Sequence, residues 1–397
     1  MFFYVKIMIG ENMKATLKKI DIPLFIVSVV LTIVGLIMIF SASSISAVLQ
    51  YGQTEYYFFQ KELIIVIIGL IASLIIIGIP TKYYIVLSKI GIIGILAALL
   101  ALRTYGTVTN SAQSWFRLAG FSIQPSEFAK TFIIVFLACW YGSKKRLKNI
   151  YDLFIPLIPC VIIFFLVASE PDLGTAIIIA VICMFIFFSL PVEKNKVMNI
   201  LKAVVAIGVI AVFVALQFNQ EYLTDTQASR FQFKNPCDRY LEETGYQVCN
   251  GYIAINNGSL FGVGLGKSTQ KYLYLPEAHT DFIFPIIVEE LGYVGGSVIL
   301  LLYILLLYRI LAIARNANTL RGSIIAFGTF AYILTHICVN LGGLLALIPL
   351  TGVPLPFLSY GGSFMLNLMI LLALTQRVCI ESKTARYKRE LKKIIGG

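Results

Sequence analysis

The chain has 397 residues, of which 58% are hydrophobic and only 13% are charged, and its mean hydropathy is +0.86. Soluble domains carry about 25% charged residues, so this composition excludes an ordinary soluble enzyme. The net charge of +12 would suit a nucleic-acid-binding protein. The basic residues, however, lie between apolar runs, which is the pattern of a protein oriented in a membrane. We therefore predict an integral membrane protein with no nucleic-acid partner.

Apolar runs long enough to cross the hydrocarbon core as helices, about 20 residues each, recur along the chain. Barrel strands would be shorter and would alternate polar with apolar residues. The predicted fold is therefore an all-α polytopic membrane protein with about ten transmembrane helices. The runs are 22–46, 62–79, 83–102, 125–142, 151–169, 172–191, 197–217, 281–308, 323–347 and 357–378.

The segments between these runs differ in charge. Residues 1–21, the turn at 144–148 and the tail 379–397 are rich in Lys and Arg. Such segments stay in the cytoplasm, where they meet anionic lipid. We predict one membrane domain, residues 1–397, with both termini cytoplasmic and no cleaved signal peptide.

Two loops on the predicted outer side are long. Residues 103–124 join spans three and four, and residues 218–280 join spans seven and eight. Long loops in a compact domain are usually functional or disordered. Aromatic residues and balanced charge predict that the second loop is partly ordered, with short helices on the outer surface. Its Cys237 and Cys249 would form a disulfide if that compartment is oxidising.

Ionisable side chains gather at the outer ends of the predicted spans, and such residues at membrane depth are functional candidates. Glu127 and Lys130 lie three residues apart on one face of the fourth span. A capped helix with an internal ion pair would also account for them. Glu170 and Asp172 lie in the turn between spans five and six, where a capping Asp is expected in any case.

The stretch LPEAHTDFIF, at the start of the eighth span, gives the sharpest signal. Thr280 or Asp281 could act as an N-cap for that helix. A cap would not explain why Glu277 and His279 lie beside it. The cluster therefore predicts a functional site at Asp281.

Other polar motifs favour structural explanations. Glu289 and Glu290 lie about 12 Å further along the helix at 1.5 Å per residue, and we interpret them as buried supports. His336 and Asn340, at i and i+4, predict an interhelical hydrogen bond. Residues 261–268, FGVGLGKS, have Phe where a phosphate-binding loop needs its first Gly, which leaves a flexible, backbone-exposing segment.

An enzyme with its site on the outer face would lack nucleotide-activated donors, so its activated group must arrive on a lipid. A polyprenyl-diphosphate sugar meets that requirement. Inverting transfer needs a base for the acceptor hydroxyl and cations for the departing diphosphate. Asp281 is the predicted base. The candidate cations are Lys130, Arg117, Arg230 and Lys234.

Several motifs also carry a family resemblance. They are NSAQSWFRLAGFSIQPSEFAK, EPDLGTA, RFQFKNPCDRYLEETGYQ, FGVGLGKSTQKYLYLPEAHTDFIFPIIVEELG and PLTGVPLPFLSYGGS. In this order they resemble the SEDS family (shape, elongation, division and sporulation), from the first span to the last. LPEAHTDFIF and LPFLSYGGS resemble the septal and spore types (FtsW and SpoVE) more than the elongation type (RodA).

The resemblance implies a peptidoglycan glycosyltransferase of the bacterial cytoplasmic membrane. It would polymerise lipid II into glycan strands on the outer face, in cell division or a related process. Its expected partners are a class B penicillin-binding protein, acting as transpeptidase, and other divisome or elongation proteins. The family's catalytic aspartate corresponds to Asp281. The expected substrate-binding positions are Trp115, Arg117, Glu127, Lys130, Glu170, Asp172, Arg230, Lys234, Glu277, His279, Ser359 and Gly361.

The sequence departs from the family at two positions. Gln113 and Ser114 precede Trp115, where many members carry Arg, so Arg117 would have to supply that cation. Phe364 follows GGS, where Ser or Ala is usual. No ligand spacing predicts a metal site, and a divalent cation (Mg²⁺ or Mn²⁺) bridging the diphosphate is the one cofactor that we consider.

Three alternatives stay open at this point. A lipid II flippase would need polar residues through the midplane, where the spans offer only Glu289, Glu290, His336 and Asn340. A non-catalytic division scaffold could use the tail and the long loop, but it gives no reason for the Asp281 cluster. A polysaccharide ligase of similar architecture would lack this set of motifs.

Overall fold

The computed structural model describes residues 16–105, 107–109, 112–118, 121–144, 147, 150–170, 172–191, 199–200, 203 and 235–395. The helices in chain order are α1 (Ile22–Leu49), α2 (Tyr57–Gly78), α3 (Tyr84–Tyr105), α4 (Pro125–Ser143), α5 (Ile150–Phe154), α6 (Leu157–Ala168), α7 (Leu173–Ser189), α8 (Glu243–Gly258), α9 (Ile283–Arg315), α10 (Leu320–Leu344) and α11 (Gly362–Ile395). Short 3₁₀ turns lie at Thr81–Tyr83 and Pro236–Arg239.

Seven helical segments of the described chain are long and apolar enough to cross a membrane. They are α1, α2, α3 with its preceding turn, the segment Tyr151–Ala168, α9, α10 and α11. Helix α7 is apolar but shorter, and α4, which carries Glu127 and Lys130, is not among the seven. The predicted run 197–217 lies outside the described residues. The polytopic helical fold is confirmed, and the count of ten spans stays a prediction.

The ends of α1, α9 and α11 meet at one end of the bundle. Asp21 caps α1 by accepting a hydrogen bond from the Leu24 N–H at 3.0 Å, a common role for Asp. The Arg309 guanidinium of α9 donates to the same carboxylate at 3.1 Å. The Gln376 amide of α11 bonds both backbone groups of Asp21. We call this the termini end, because residues 16–20 and the last turns of α11 lie there, and the opposite end the loop end.

The core lies around α4, α10 and α11, which are mostly buried. The outer helices instead expose broad apolar faces, with side chains such as Ile26, Ile67, Ile90 and Leu301 at least half uncovered. Lipid is as apolar as these side chains, so exposure of this kind is expected around a membrane bundle. The polar side chains of the central helices are therefore enclosed by protein.

The first long loop is not only a loop. It contains a three-stranded antiparallel sheet, β1 (Thr107–Thr109), β2 (Ala112–Leu118) and β3 (Phe121–Ile123), in the order β1-β2-β3. The all-α prediction missed it, since the strands are short and two of them have three residues each.

Helix α9 is broken at Gly292, whose φ of 74° and ψ of 179° are not helical. The predicted continuous span 281–308 was wrong in this respect. The segment 259–264 fills the break: the N–H groups of Val263 and Gly264 donate to the carbonyls of Glu289 and Glu290. The N–H groups of Tyr293 and Val294 donate to the carbonyls of residues 259 and 260. A Cβ at Gly292 would lie 2.3 Å from a carbonyl oxygen, so only glycine fits both the φ angle and the space.

The part of the second long loop that the structure describes, from residue 235, packs into the bundle. Helix α8 lies against the first half of α9, and Gly258 comes so close that a Cβ there would meet the Val288 carbonyl oxygen at 2.0 Å. A disulfide joins Cys237 to Cys249, with a Cα–Cα distance of 5.0 Å. The predicted helical order is therefore present, but α8 is not a purely surface helix.

Candidate active site at the loop end

Asp281 lies directly before the buried first half of α9. Its Oδ1 accepts a hydrogen bond from the Thr280 hydroxyl at 3.1 Å, and a Cβ built on Gly352 would lie 3.7 Å from its Oδ2. The side chain is partly exposed. The cap explanation was wrong, because the residue at the N-cap position is Phe282 and no side chain caps the helix there. Asp281 is therefore not explained as the cap of α9.

Asn340, near the end of α10, fixes the backbone at Asp281. Its Nδ2 donates to the Asp281 carbonyl and to the Val353 carbonyl, each at 2.8 Å. The predicted interhelical bond of Asn340 was therefore wrong in its partner: the amide joins two loops. It holds residues 351–354 beside the Asp281 turn.

One helical turn from Asn340, a buried polar cluster links α4 to α10. The Lys130 ammonium bonds Glu127 Oε1 at 2.7 Å and His336 Nε2 at 3.2 Å. Lysine can only donate, so His336 Nε2 accepts, and its Nδ1–H faces the Pro354 carbonyl oxygen at 3.4 Å. Tyr332 donates to the other oxygen of Glu127 at 3.4 Å. The predicted ion pair is confirmed, and Lys130 is wholly buried.

His279 forms part of an aromatic wall beside Asp281. Its ring centroid lies 4.4 Å from that of Phe58 on α2 and 5.8 Å from that of Tyr360. The Tyr360 N–H donates to the His279 carbonyl at 2.9 Å. Burial lowers the pKa of His279 to about 4, so the ring is neutral at pH 7 and does not serve as a cation there.

The LSYGGS turn is fixed from two sides. Ser359 is buried, and its hydroxyl accepts the Leu355 N–H at 2.8 Å. The Gly361 N–H donates to Glu62 Oε2 at 3.3 Å. Glu62 and Phe58, one turn apart on α2, therefore contact the Asp281 surroundings through Gly361 and His279. Sequence analysis missed Glu62 because it opens an apolar run.

Glu277 lies on the other side of Thr280. The Thr280 hydroxyl is 2.6 Å from Glu277 Oε2 as well as 3.1 Å from Asp281 Oδ1. Glu277 is exposed and has a φ of 53°. A single hydroxyl thus stands between two carboxylates at the surface of the loop end.

Glu170 and Asp172 lie at the junction of α6 and α7. Asp172 caps α7 by accepting the Thr175 N–H at 3.0 Å, as the turn explanation predicted, and it also accepts from Gln124 Nε2 at 2.9 Å. The Gln124 N–H in turn donates to Ser363 of α11 at 3.0 Å. The Glu170 side chain is buried. Asp172 and Gln124 thereby tie the starts of α4, α7 and α11 together.

Glu289 and Glu290 are saturated with internal partners. Glu290 accepts from the Ser41 hydroxyl at 2.6 Å and from the Lys271 ammonium at 3.2 Å. Glu289 accepts from Ser268, from the Thr269 hydroxyl at 2.8 Å and from Asn257 at 3.0 Å. The predicted burial and pairing of Glu289 and Glu290 are confirmed, and their role as supports stays a prediction. The glycine segment is not free backbone, because its end is held by these carboxylates.

The remaining predicted residues are only partly described. Trp115 is half-buried on β2, opposite Thr107. Arg117 pairs with Ser122 through its backbone, and its side chain lies outside the described part, as do Arg230 and Lys234 entirely. Among the described residues, no three His, Cys, Asp or Glu side chains converge as metal ligands.

Sequence reasoning missed residues whose contacts join segments far apart in the chain. Gly352, Glu62 and Gln124 contact the site through a close approach or a single hydrogen bond. The Pro- and Gly-rich stretch PLTGVPLPFLSYGG was the available signal for a shaped loop. It does not reveal that this loop faces Asp281.

The chain as a whole matches a known family. The family model described as cell cycle protein, covering FtsW, RodA and SpoVE, matches residues 22–384. The chain belongs to the FtsW/RodA/SpoVE family. It is 35% identical over 388 residues to a probable peptidoglycan glycosyltransferase FtsW of Bacillus subtilis (strain 168), covering 95% of each chain. It is 37% identical over 359 residues to the stage V sporulation protein E of the same organism, covering 88% of this chain and 94% of that one.

Solved structures share the fold of this chain. A chain from a study of how a peptidoglycan synthase complex coordinates polymerization and crosslinking superposes with a TM-score of 0.73. It is 22% identical and the match covers 91% of this chain and 98% of that chain. The rod shape determining protein RodA of Thermus thermophilus superposes with a TM-score of 0.66, at 22% identity and 91% and 97% coverage. The sequence relatives named FtsW and SpoVE agree with the predicted subtype.

Proposed function

We propose that this chain is a peptidoglycan glycosyltransferase that polymerises lipid II by an inverting reaction, with Asp281 as general base. The observation that carries this proposal is the state of Asp281: a partly exposed carboxylate that caps no helix, on a backbone fixed by Asn340. The function in the name of the Bacillus subtilis FtsW relative supports the reaction class.

The chemistry follows from the position of Asp281. A base must be within hydrogen-bond reach of the acceptor hydroxyl and must keep its orientation. Thr280 donates to one carboxylate oxygen, and the residue is partly exposed, so an acceptor hydroxyl can approach it. The donor diphosphate departs as an anion and needs no acid. Its negative charge needs cations in the site.

Lys130, Arg117, Arg230 and Lys234 are the proposed cations for the diphosphate. Lys130 is buried and bound to Glu127 and His336. From this position its positive charge would act on the diphosphate through longer-range electrostatic attraction. Arg117, Arg230 and Lys234 stay candidates for direct contact. A divalent cation is compatible with Glu277 and Asp281, because Mg²⁺ often uses one or two carboxylates plus substrate phosphates. Such an ion would neutralise charge on the diphosphate.

We propose that the loop end faces outward from the bacterial cytoplasmic membrane. The termini end carries the basic tail of α11, with Lys383, Arg386, Arg389, Lys392 and Lys393, as expected of a cytoplasmic side. Residues 1–397 are proposed to act as one membrane domain. A class B penicillin-binding protein is the proposed transpeptidase partner, together with other divisome proteins, and the relative solved within a synthase complex supports such a partner.

The flippase alternative loses support from the contacts of its marker residues. Glu289 and Glu290 bind the segment 268–271, His336 binds Lys130, and Asn340 binds two carbonyls. A substrate path would need these side chains to face a cavity. Each is instead engaged in internal hydrogen bonds that hold the bundle.

The test is glycan-strand synthesis from purified lipid II in detergent, with moenomycin present to silence polymerases of the other kind. Wild type and Asp281→Asn are compared with and without a class B penicillin-binding protein. Asp238→Asn, an exposed aspartate of the same loop, is the matched control. We expect polymer from wild type and Asp238→Asn and none from Asp281→Asn.

Two outcomes would contradict the proposal. Equal polymer from Asp281→Asn and wild type would show that the base is elsewhere. A folded wild type that makes no polymer even with its partner would reject the reaction and would lead to a flippase assay in liposomes.

A further inference from the structure

Two side-chain contacts between α1 and α9 are separated by about the thickness of the hydrocarbon core. At the termini end Asp21 binds Arg309 of α9, and further along α1 Ser41 binds Glu290 of α9. The two α1 residues are 20 positions apart, which is about 30 Å at 1.5 Å per residue. The hydrocarbon core is also about 30 Å thick. If Asp21 marks one boundary of the core, Ser41 and Glu290 mark the other.

The segment Leu260–Leu265 lies at this second boundary. Its Val263 and Gly264 N–H groups bond the carbonyls of Glu289 and Glu290 at 2.9 and 3.0 Å. These backbone bonds fix the position of the segment along the membrane normal, because Glu290 also contacts Ser41. The segment cannot lie far above the bilayer while these bonds persist.

The side chains of this segment are apolar and uncovered. Leu260 is 63% exposed, Phe261 80%, Val263 40% and Leu265 55%, and the two residues between them are glycines. A run of exposed apolar residues without a polar side chain is unusual on a surface that meets water. Such a run is typical of a segment that lies in an interface with lipid.

The exposed run is also continuous with the lipid-facing side of α9. After the break at Gly292, Tyr293 and Val294 are 47% and 48% exposed and pair through their N–H groups with residues 259 and 260. The same face continues through Val298 and Leu301 toward the termini end. Before the break, by contrast, residues 285–290 are all buried. Lipid contact thus begins at the break, where the segment lies.

We propose that Leu260–Leu265 inserts into the lipid leaflet at the loop end and anchors the described part of the loop that leads to Asp281. The partner is the acyl-chain and headgroup boundary of the bilayer itself. The four apolar side chains enter the boundary, and the exposed Lys267 that follows them stands where lipid phosphates are. This inference does not depend on the proposed reaction.

The test measures the depth of single tryptophans in nanodiscs of phosphatidylethanolamine and phosphatidylglycerol. In a background in which Trp115 and Trp140 are replaced by Phe, Phe261→Trp is compared with Leu301→Trp and Tyr387→Trp. Leu301 lies mid-way along α9, and Tyr387 lies on α11 about 16 Å past Gln376, beyond the termini end. Leu265→Trp is a second probe of the segment, should Phe261→Trp reduce the yield of folded protein.

Lipids brominated near the headgroup end of the acyl chains should quench the Phe261→Trp and Leu265→Trp probes at least about twofold, while aqueous iodide should leave them nearly unchanged. Lipids brominated deep in the chain should quench the Leu301→Trp probe most, and iodide alone should quench the Tyr387→Trp probe. Iodide quenching of the segment probes without lipid quenching would overturn the proposal. If a class B penicillin-binding protein then removed that iodide quenching, the segment would be a protein-docking surface instead.

Discussion

Acidic side chains in the first half of α9 and directly before it lie in opposite surroundings at the loop end. Glu289 and Glu290 are buried and accept hydrogen bonds from at least five side chains of the described residues. Asp281 is partly exposed, its carboxylate accepts a hydrogen bond from Thr280, and its backbone carbonyl is held by Asn340. A saturated buried carboxylate cannot take a proton from a substrate, whereas a partly exposed and oriented one can. Acidic residues in a membrane protein therefore need to be sorted by their partners before they are assigned a function.

The largest expected difference concerns activity. Asp281→Asn should lower polymerisation about 10²- to 10⁴-fold, the usual contribution of a general base, and should leave the thermal midpoint in detergent unchanged. Initial rates from lipid II and a melting curve of the same preparation measure both. If the variant lost both its rate and much of its stability, Asp281 would have a structural role like that of Glu289 and Glu290.

For the ion pair of Lys271 with Glu290, we expect the main effect on stability. Lys271→Met leaves Glu290 buried without its cation and should cost about 3–5 kcal/mol of stability. The double variant Lys271→Met/Glu290→Leu should recover part of that loss, because it removes the uncompensated charge. Unfolding in denaturant measures the four members of this cycle. Additive losses would mean that the two side chains do not interact.

A smaller effect on activity is expected from a change at Asn340. Asn340→Asp keeps the shape but replaces the donor by an oxygen that faces two carbonyl oxygens. We expect about 10- to 100-fold slower turnover, since small displacements of a catalytic group are costly, with KM little changed. Asn257→Asp, which faces Glu289 instead, is the control. A pure KM effect would show that Asn340 does not position the base.

The smallest expected effect at pH 7 concerns His279, whose contribution to stability changes only at acidic pH. The folded pKa is about 4 and the ordinary value is near 6.5, so the unfolded chain takes up the proton first. Stability should be full above pH 6.5 and fall by about 1.4 kcal/mol per pH unit as the pH drops from 6.5 to about 4. The melting temperature should change less with pH across that range in His279→Phe than in wild type. An equal slope in both proteins would mean that another group titrates.

Much of the helical framework could be predicted from the sequence, because apolar length alone identifies a membrane helix. The ion pair of Glu127 with Lys130 was predictable from helical spacing, and the buried role of Glu289 and Glu290 from their position. Gly292 was not, since its neighbours Gly295 and Gly296 are typical of close helix packing, and nothing local reveals that residues 259–264 supply the missing hydrogen bonds.

The site itself was predictable only in part. Asp281 was identified by its polar neighbours and the family motif. The contacts of Glu62 with Gly361 and of Asn340 with two loop carbonyls join residues far apart in the chain. Such pairings depend on the packing of whole helices, for which one sequence contains no periodic signal. The sheet at 107–123 was missed because two of its three strands, β1 and β3, are shorter than the windows in which alternation can be recognised.

The break at Gly292 also imposes an order on synthesis. Residues 259–264 leave the ribosome before α9. The carbonyl and N–H groups of this segment, which bond the backbone on both sides of the break, are therefore made first. The carbonyls of Glu289 and Glu290 and the N–H groups of Tyr293 and Val294 follow about thirty residues later. The second half of α9, from residue 293, is long enough to insert as a membrane segment without the first half. The first half, with Asp281 before it, can then take its place when the earlier segment has docked, so the proposed base is among the last parts of this end to be fixed.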